Sequence, residues 1–76
     1  MEIKDFIENF KDQFEDELTC ELTGETKFRD VDGWSSIVAL SVMSMIDDEY
    51  DVQLNATEMR QATTIQELFD VVTSKQ

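Results

Sequence analysis

Apolar residues recur at helical spacing at the start of the chain. They stand at i, i+3, i+4, i+7 and i+11 and draw one continuous stripe: Ile3, Phe6, Ile7, Phe10 and Phe14. Glu2 and Asp5 fall in the first turn, where carboxylates interact favourably with the helix dipole. The pattern predicts an amphipathic helix from about residue 2 to about residue 17.

The segment 18–35 has no helical period. Leu18, Cys20 and Leu22 alternate with Thr and Glu, which is compatible with a short extended stretch. Further on, an apolar residue returns at every third position, as Phe28, Val31 and Trp34. We expect these three side chains to pin a long first loop, or a helical turn within it, onto the core.

A second helix is predicted to begin at Ser35 or Ser36, since either hydroxyl is able to cap the free N–H groups of a first turn. We expect it to close with the acidic run 47–51. One face carries Ile37, Leu40, Met43, Ile46 and Tyr50, and we expect this face to point inward. Three further apolar residues widen that band or lie outside it, namely Val38, Val42 and Met45.

Two capping patterns open the last helices. Asn55 followed by Glu58 predicts a capping box for a short helix at about 56–61, and Thr64 followed by Glu67 repeats the pattern. The inner face of the last helix is expected to carry Ile65, Leu68, Phe69 and Val72. The fold expected for residues 1–76 is one all-α domain, a small four-helix bundle with three main helices and one short one.

The charge balance restricts the classes of partner. The 76 residues contain 18 acids and 6 bases, for a net charge of −12. Phosphate backbones are repelled by such a surface, so nucleic acid is not expected as a partner, whereas basic protein surfaces are. No apolar run approaches membrane-spanning length and no signal peptide is visible, so a soluble, cytoplasmic and monomeric protein is expected.

Residues able to do chemistry are few. The chain has no His and a single Cys, so an intrachain disulfide, a zinc site and a nucleophile–base pair are not expected, and neither is enzymatic activity. Asp30-Val31-Asp32-Gly33 resembles the start of a calcium-binding EF-hand loop. A loop starting at Asp30 would place Gly33 at position 4 instead of 6 and Ser41 instead of Glu at position 12, so no metal site is predicted.

The order of these features resembles the acyl carrier proteins. An amphipathic helix and a long loop are followed by Gly33-Trp34-Ser35-Ser36-Ile37, an acidic helix end at 47–51, and Thr63-Thr64-Ile65-Gln66. The likeness is firm from about Phe28 to Val72. Members of that family carry a 4′-phosphopantetheine arm on the serine of an Asp-Ser-Leu motif, whose counterpart here is Ser35-Ser36-Ile37.

The resemblance implies that Ser36 carries 4′-phosphopantetheine from coenzyme A, with Ser35 as the alternative attachment residue because it replaces the Asp of the family motif. The arm's thiol would hold acyl groups as thioesters. A phosphodiester at a helix N-terminus lies in a favourable field, and Gly33 is expected to take a positive φ and keep the hydroxyl exposed. The chain would then deliver intermediates of fatty acid, polyketide or related biosynthesis.

The family likeness also implies two surfaces. Partner docking is assigned to the second helix, at Val38, Ser41, Met45, Asp47 and Asp48. An acyl pocket between helices is assigned, by analogy, to Leu40, Met43, Ile46, Ala62 and Leu68. Expected partners are a phosphopantetheinyl transferase and the acyl-loading and acyl-processing enzymes, through basic surfaces. The family's acids in the first turns of this helix are missing, so partners are expected to depend more on Asp47, Asp48 and apolar contact.

Two other readings fit the same sequence. One is an unmodified acidic helical adaptor that binds a basic protein, and the other is a carrier of aminoacyl or polyketide groups instead of fatty acyl groups. A mass gain from coenzyme A and a transferase separates a carrier from an adaptor.

The net charge of −12 leads to a prediction about stability. We expect added salt or divalent cations to raise the melting temperature, because screening weakens the repulsion between like charges in the compact state. Thermal unfolding followed by circular dichroism over a series of salt concentrations tests this. A melting temperature that stays flat or falls with salt would contradict it.

Overall fold

A computed structural model describes residues 2–14, 21–31 and 33–76. Four α-helices follow in the order α1, α2, α3 and α4, with bounds Ile3–Lys11, Ser36–Tyr50, Ala56–Gln61 and Ile65–Lys75, and a 3₁₀ turn at Phe28–Asp30 precedes α2. The predicted all-α fold of three main helices and one short helix is confirmed. None of the helices among the described residues has the length and apolar character needed to cross a membrane.

The first helix is shorter than predicted. It ends at Lys11 with Asp12 as its C-cap. The two N–H groups after the cap bond three residues back, from Gln13 to the Phe10 carbonyl at 3.1 Å and from Phe14 to the Lys11 carbonyl at 3.2 Å. The prediction was wrong here because Phe14 extends the apolar stripe, yet it packs on Trp34 from a tighter turn, with ring centroids 6.1 Å apart. The rest of the predicted helix and of the extended stretch, residues 15–20, lies outside the described residues.

Aromatic side chains form the centre of the core. Phe6 and Phe10 on α1 and Phe28 on the 3₁₀ turn are fully buried. The Trp34 ring stacks on Phe10, with centroids 6.0 Å apart and planes 7° apart, and meets Phe28 at 5.0 Å. Val31 is also buried, so the prediction that the apolar residues of the first loop pin it to the core is confirmed.

Backbone hydrogen bonds fasten the first loop to the start of α4. The Ile65 N–H donates to the Thr26 carbonyl at 3.1 Å, and the Gln66 N–H donates to the Gly24 carbonyl at 2.9 Å. The Glu67 N–H donates to Thr64 Oγ1 at 3.2 Å, which is one half of the predicted capping box. The other half is not formed, because the Glu67 carboxylate accepts from the Thr63 N–H at 3.4 Å and not from the Thr64 N–H. First-turn N–H groups have no partner inside their own helix, so the loop supplies acceptors that α4 lacks.

The short helix α3 has the predicted capping box. Glu58 N–H donates to Asn55 Oδ1 at 2.8 Å, and Asn55 N–H donates to Glu58 Oε1 at 3.1 Å. The same carboxylate lies 2.6 Å from Lys75 Nζ, which also donates to the Gln53 carbonyl at 3.0 Å. Lys75 thus joins the end of α4 to the start of α3. Helices of six residues are marginal alone, so these contacts stabilise α3.

The buried face of α2 agrees with the predicted one only in part: Ile46 is buried as predicted, and Met43 and Tyr50 are half-buried against the core. Val38, Val42, Met45 and Ile46 face the core, whereas Ile37 and Leu40 are 62% and 66% exposed. Both faces of this helix carry apolar residues at helical spacing, so periodicity alone could not choose between them. Tertiary packing, including the contact between α2 and α1, decides which face is buried.

The end of α2 offers a test of backbone strain. Asp51 takes the left-handed conformation, with φ 55° and ψ 40°, and its N–H donates to the Asp47 carbonyl at 3.0 Å. We expect Asp51→Gly to raise the free energy of unfolding by about 0.5–1 kcal/mol, because glycine adopts this conformation without a Cβ penalty. Asp51→Ala is the matched control, since it removes the same charge and keeps the penalty. Equal stability of the two variants in urea unfolding would contradict this explanation.

The α3–α4 ion pair predicts a pH dependence. The Lys75 ammonium, followed by the Asn55 N–H, lowers the pKa of Glu58. A carboxyl whose pKa is lowered by folding contributes stability above its unfolded pKa and loses it as the pH falls through the folded pKa. We therefore expect the stability difference between wild type and Glu58→Gln, measured by urea unfolding, to shrink on acidification.

The net charge of −12 by itself makes the stability of the wild type depend on pH. The informative quantity is therefore the difference in free energy of unfolding between wild type and Glu58→Gln, and not the stability of the wild type alone. Lys75→Met serves as the control, and in the Glu58→Gln background it should add no further pH-dependent loss. If the stability difference between wild type and Glu58→Gln stays constant from about pH 7 to about pH 3, the ion pair is ruled out as its source.

Candidate functional site

The two adjacent serines at the start of α2 have different roles in the fold. Ser35 is the N-cap, with extended backbone at φ −152° and ψ 172°. Its Oγ accepts a hydrogen bond from the Val38 N–H at 3.3 Å, and its carbonyl accepts one from the Ala39 N–H at 2.9 Å. The Ser35 hydroxyl therefore serves the helix, satisfying one of the N–H groups that the first turn leaves without a partner.

Ser36 is the first residue within α2, and its side chain is exposed. Among the described residues its hydroxyl makes no hydrogen bond, so it is open to an incoming reagent. The helix that follows is 15 residues long and carries no acid in its first turn. No acidic side chain of that first turn neutralises the positive end of the helix dipole, which favours a negative group at this position.

Gly33 and Trp34 directly precede the two serines. The first contributes an unusual backbone conformation and the second a side chain packed on the core. Gly33 has φ 94°, a conformation that other residues rarely adopt, and this confirms the predicted positive φ. A Cβ there would lie 3.7 Å from Phe14, which is an ordinary contact, so the backbone angle rather than space requires glycine. The Trp34 N–H donates to the Val31 carbonyl at 3.1 Å, and its half-buried ring is stacked on Phe10.

The exposed face of α2 continues from Ser36. Leu40 and Asp47 follow at i+4 and i+11 and lie on the same side of the helix. Beside them runs a second row at the same spacing, formed by Ile37, Ser41, Ser44 and Asp48. The face is therefore apolar next to the candidate serine, carries hydroxyls in its middle and is acidic at its far end. Ile37 and Leu40 are the large apolar side chains that are most exposed among the described residues.

A groove of about 280 Å³ lies along this second row, between α2 and the turn that follows α1. Its lining residues are Gln13, Ser41, Ser44, Met45, Asp48 and Glu49. Gln13 is held by a bond from its side-chain amide to the Asn9 carbonyl at 2.9 Å. Met45 is 7% exposed and forms an apolar floor, while two hydroxyls and two carboxylates surround it.

The predicted docking residues separate into two groups. Asp47 and Asp48 are exposed, and Ser41 is half-buried at the groove. Val38 is 3% exposed and belongs to the core, so the prediction that it faces a partner was wrong. Met45 is 7% exposed and also packs in the core, but the surface that it retains lines the groove. The error at Val38 has the same origin as the error in the inner face of α2, because Val38 takes the core side that was expected for Ile37 and Leu40.

The residues predicted to line an acyl pocket also differ in their burial. Ile46, Ala62 and Leu68 are buried and Met43 is half-buried. Leu40 points outward, which corrects its assignment to an interior pocket, and a pocket among the other four stays a prediction. No cluster of three potential metal-ligating side chains is found in the parts of the chain that the structure describes.

Sequence reasoning missed the exposure of Ile37 and Leu40, as well as the positions of Gln13, Ser44 and Glu49 at the groove. One signal was available, since an apolar pair at i and i+3 directly after the serines falls opposite Val38 and Val42. Gln13 gave no signal because its place depends on where α1 ends. Comparison with known proteins finds no matching family model, no matching curated protein and no matching solved structure.

Proposed function

We propose that this chain is an acyl carrier, with 4′-phosphopantetheine attached to Ser36. The proposal rests on one observation, which is that the two serine hydroxyls differ in their hydrogen bonding. Ser35 Oγ is engaged by the Val38 N–H at 3.3 Å, while the Ser36 hydroxyl is exposed at the start of α2. The alternative attachment residue, Ser35, would have to give up the helix cap on modification.

The surroundings of Ser36 suit a phosphodiester. Helix N-termini favour negative charge, and this one has no acidic side chain in its first turn. The Trp34 ring is stacked on Phe10, whereas Ser36 is exposed, which leaves its hydroxyl accessible to a transferase. When bound, the group would supply a thiol that holds the acyl chain as a thioester.

The protein's own contribution would be position and recognition. Partner enzymes approach Ser36 along the exposed face of α2, where Leu40 is apolar and Asp47 and Asp48 are negative. A net charge of −12 attracts basic enzyme surfaces over long range and raises association rates at low salt. These features support binding by separate loading and processing enzymes of fatty acid, polyketide or related biosynthesis. They also support binding by the phosphopantetheinyl transferase.

A direct test is modification in solution. Incubation of the purified chain with coenzyme A and a broad-specificity phosphopantetheinyl transferase should add the mass of one phosphopantetheine group. Ser36→Ala should abolish the gain, because it removes the accepting oxygen. Ser35→Ala is the matched control and should still be modified, with a stability lower by about 1 kcal/mol from the lost cap.

Intact-mass spectrometry and urea unfolding provide the two readouts. Modification that persists in Ser36→Ala and disappears in Ser35→Ala would move the attachment to Ser35. A chain that stays unmodified with a transferase active on other carriers would overturn the proposal. That last result would favour the acidic adaptor, which shares the charged surface but needs no prosthetic group.

A further inference from the structure

The groove beside α2 presents hydrogen-bond acceptors and negative charge to solvent. Its rim carries two hydroxyls and two carboxylates, from Ser41, Ser44, Asp48 and Glu49. The side-chain amide of Gln13 forms the opposite wall, where its bond to the Asn9 carbonyl at 2.9 Å fixes it to α1. No lysine or arginine is among the described residues that line the groove. A small group that carries positive charge and donates hydrogen bonds matches this lining.

The interior of the bundle has the opposite chemistry. Within the described part of the chain no polar or charged side chain is buried. Ile46, Ala62 and Leu68, which were predicted to line an acyl pocket, belong to this apolar core. An ammonium group placed there would lose its hydration without gaining a side-chain partner, at a large cost in free energy. An alkyl chain would meet the converse problem in the groove, because its apolar floor, Met45, is only 7% exposed.

The groove lies within reach of a phosphopantetheine arm on Ser36. Along α2 the rise is about 12 Å from Ser36 to Ser44 and about 18 Å from Ser36 to Asp48, because each residue adds about 1.5 Å. About fourteen bonds separate the serine oxygen from the sulfur of the arm, and three bonds of an extended chain advance by at most about 3.6 Å. The arm therefore spans about 17 Å, and an aminoacyl group carries its ammonium about three bonds further. The cargo end of the arm is thus able to enter the groove.

We infer that the cargo of this carrier is a short aminoacyl group whose ammonium lies in the groove. Asp48 and Glu49 supply the opposite charge, and Ser41 and Ser44 supply further acceptors. The inference rests on the proposed carrier function and names the class of cargo. The volume of about 280 Å³ suits a short group, because sites for larger organic molecules begin at about 300 Å³. The ammonium also offsets the unfavourable interaction of these carboxylates with the helix dipole, since the last turn of α2 contains no base.

Two cargo analogues that differ in charge provide the test. Coenzyme A derivatives carry a glycyl or a propionyl group through a stable amide in place of the thioester, and the broad-specificity phosphopantetheinyl transferase loads them. The Ser36 oxygen forms a bond to phosphorus as the pyrophosphate bond of the derivative breaks and adenosine 3′,5′-bisphosphate leaves. The two groups match in size, because the ammonium of one replaces the methyl of the other. Intact-mass spectrometry verifies complete loading of each sample.

Amide NMR shifts, measured relative to the chain that carries the arm without cargo, give the readout. The signals of Gln13, Ser41 and Ser44 should move about threefold more with the glycyl group than with the propionyl group, because opposite charges a few ångström apart attract. Added salt should reduce this difference between the two cargos, since it screens the attraction. Nuclear Overhauser contacts from the glycyl methylene to the amides of Ser41 and Ser44 should appear as well.

Two charge variants locate the effect. Asp48→Asn with Glu49→Gln should abolish the difference between the two cargos, because it removes the carboxylates of the groove. Asp5→Asn with Glu8→Gln is the matched control, since it removes the same two charges from exposed residues on α1, and it should preserve the difference. Loading of both variants is run to completion, so the rate of the transferase does not enter the comparison.

The outcomes distinguish this inference from the proposal beneath it. Equal shifts of the groove signals with both cargos would overturn the cationic class, and glycyl shifts confined to core residues would overturn the site. A difference that persists without Asp48 and Glu49, or that is lost equally in the α1 control, would overturn the site as well. In each of these cases Ser36 is still loaded and the carrier function stands. A wild-type chain that accepts neither derivative nor coenzyme A itself would sink the carrier function, and the inference with it.

Discussion

The contact between α1 and the end of the first loop is the interaction on which the site depends. Phe10 is buried between Phe28 and Trp34, with the Trp34 ring stacked on it at 6.0 Å. Aromatic pairs of this kind contribute about 0.5–1.5 kcal/mol each beyond their buried area. Since Trp34 directly precedes the two serines, the stack determines where α2 begins and on which side of the molecule Ser36 lies.

The second constraint is the shortage of partners for backbone groups in so small a chain. The first loop gives the carbonyls of Gly24 and Thr26 to the first turn of α4, and Lys75 reaches back from α4 to the capping carboxylate of α3. Loop and short helix are therefore held by polar contacts with α4, and not by an apolar core alone. The longest helix, α2, has an exposed face that no other segment of the described chain covers.

That uncovered face connects the architecture to the proposed function. Three features follow one another along α2, namely an exposed hydroxyl at its start, two exposed apolar side chains and an acidic groove. Each has a cost in the isolated protein, through exposed apolar surface or repulsion between like charges. A partner that is both apolar and basic would offset these costs on binding, so the arrangement favours transient recognition beside Ser36 over a closed, self-sufficient bundle.

The sequence by itself determined the all-α architecture, the limits of α3 and the caps at Asn55 and Thr64. These features follow from local rules, namely helical periodicity and side chains that bond to N–H groups three residues away. The resemblance to acyl carrier proteins singled out Ser36, and a glycine just before the predicted helix indicated the positive φ of Gly33.

Only the tertiary structure decided where α1 stops, since the apolar stripe continues through Phe14. The inner side of α2 was settled by packing as well, because both sides are apolar and only burial in the core distinguishes Val38 from Ile37. The groove at Asp48 exists for the same reason, since its walls come from segments distant in sequence whose approach no local pattern encodes.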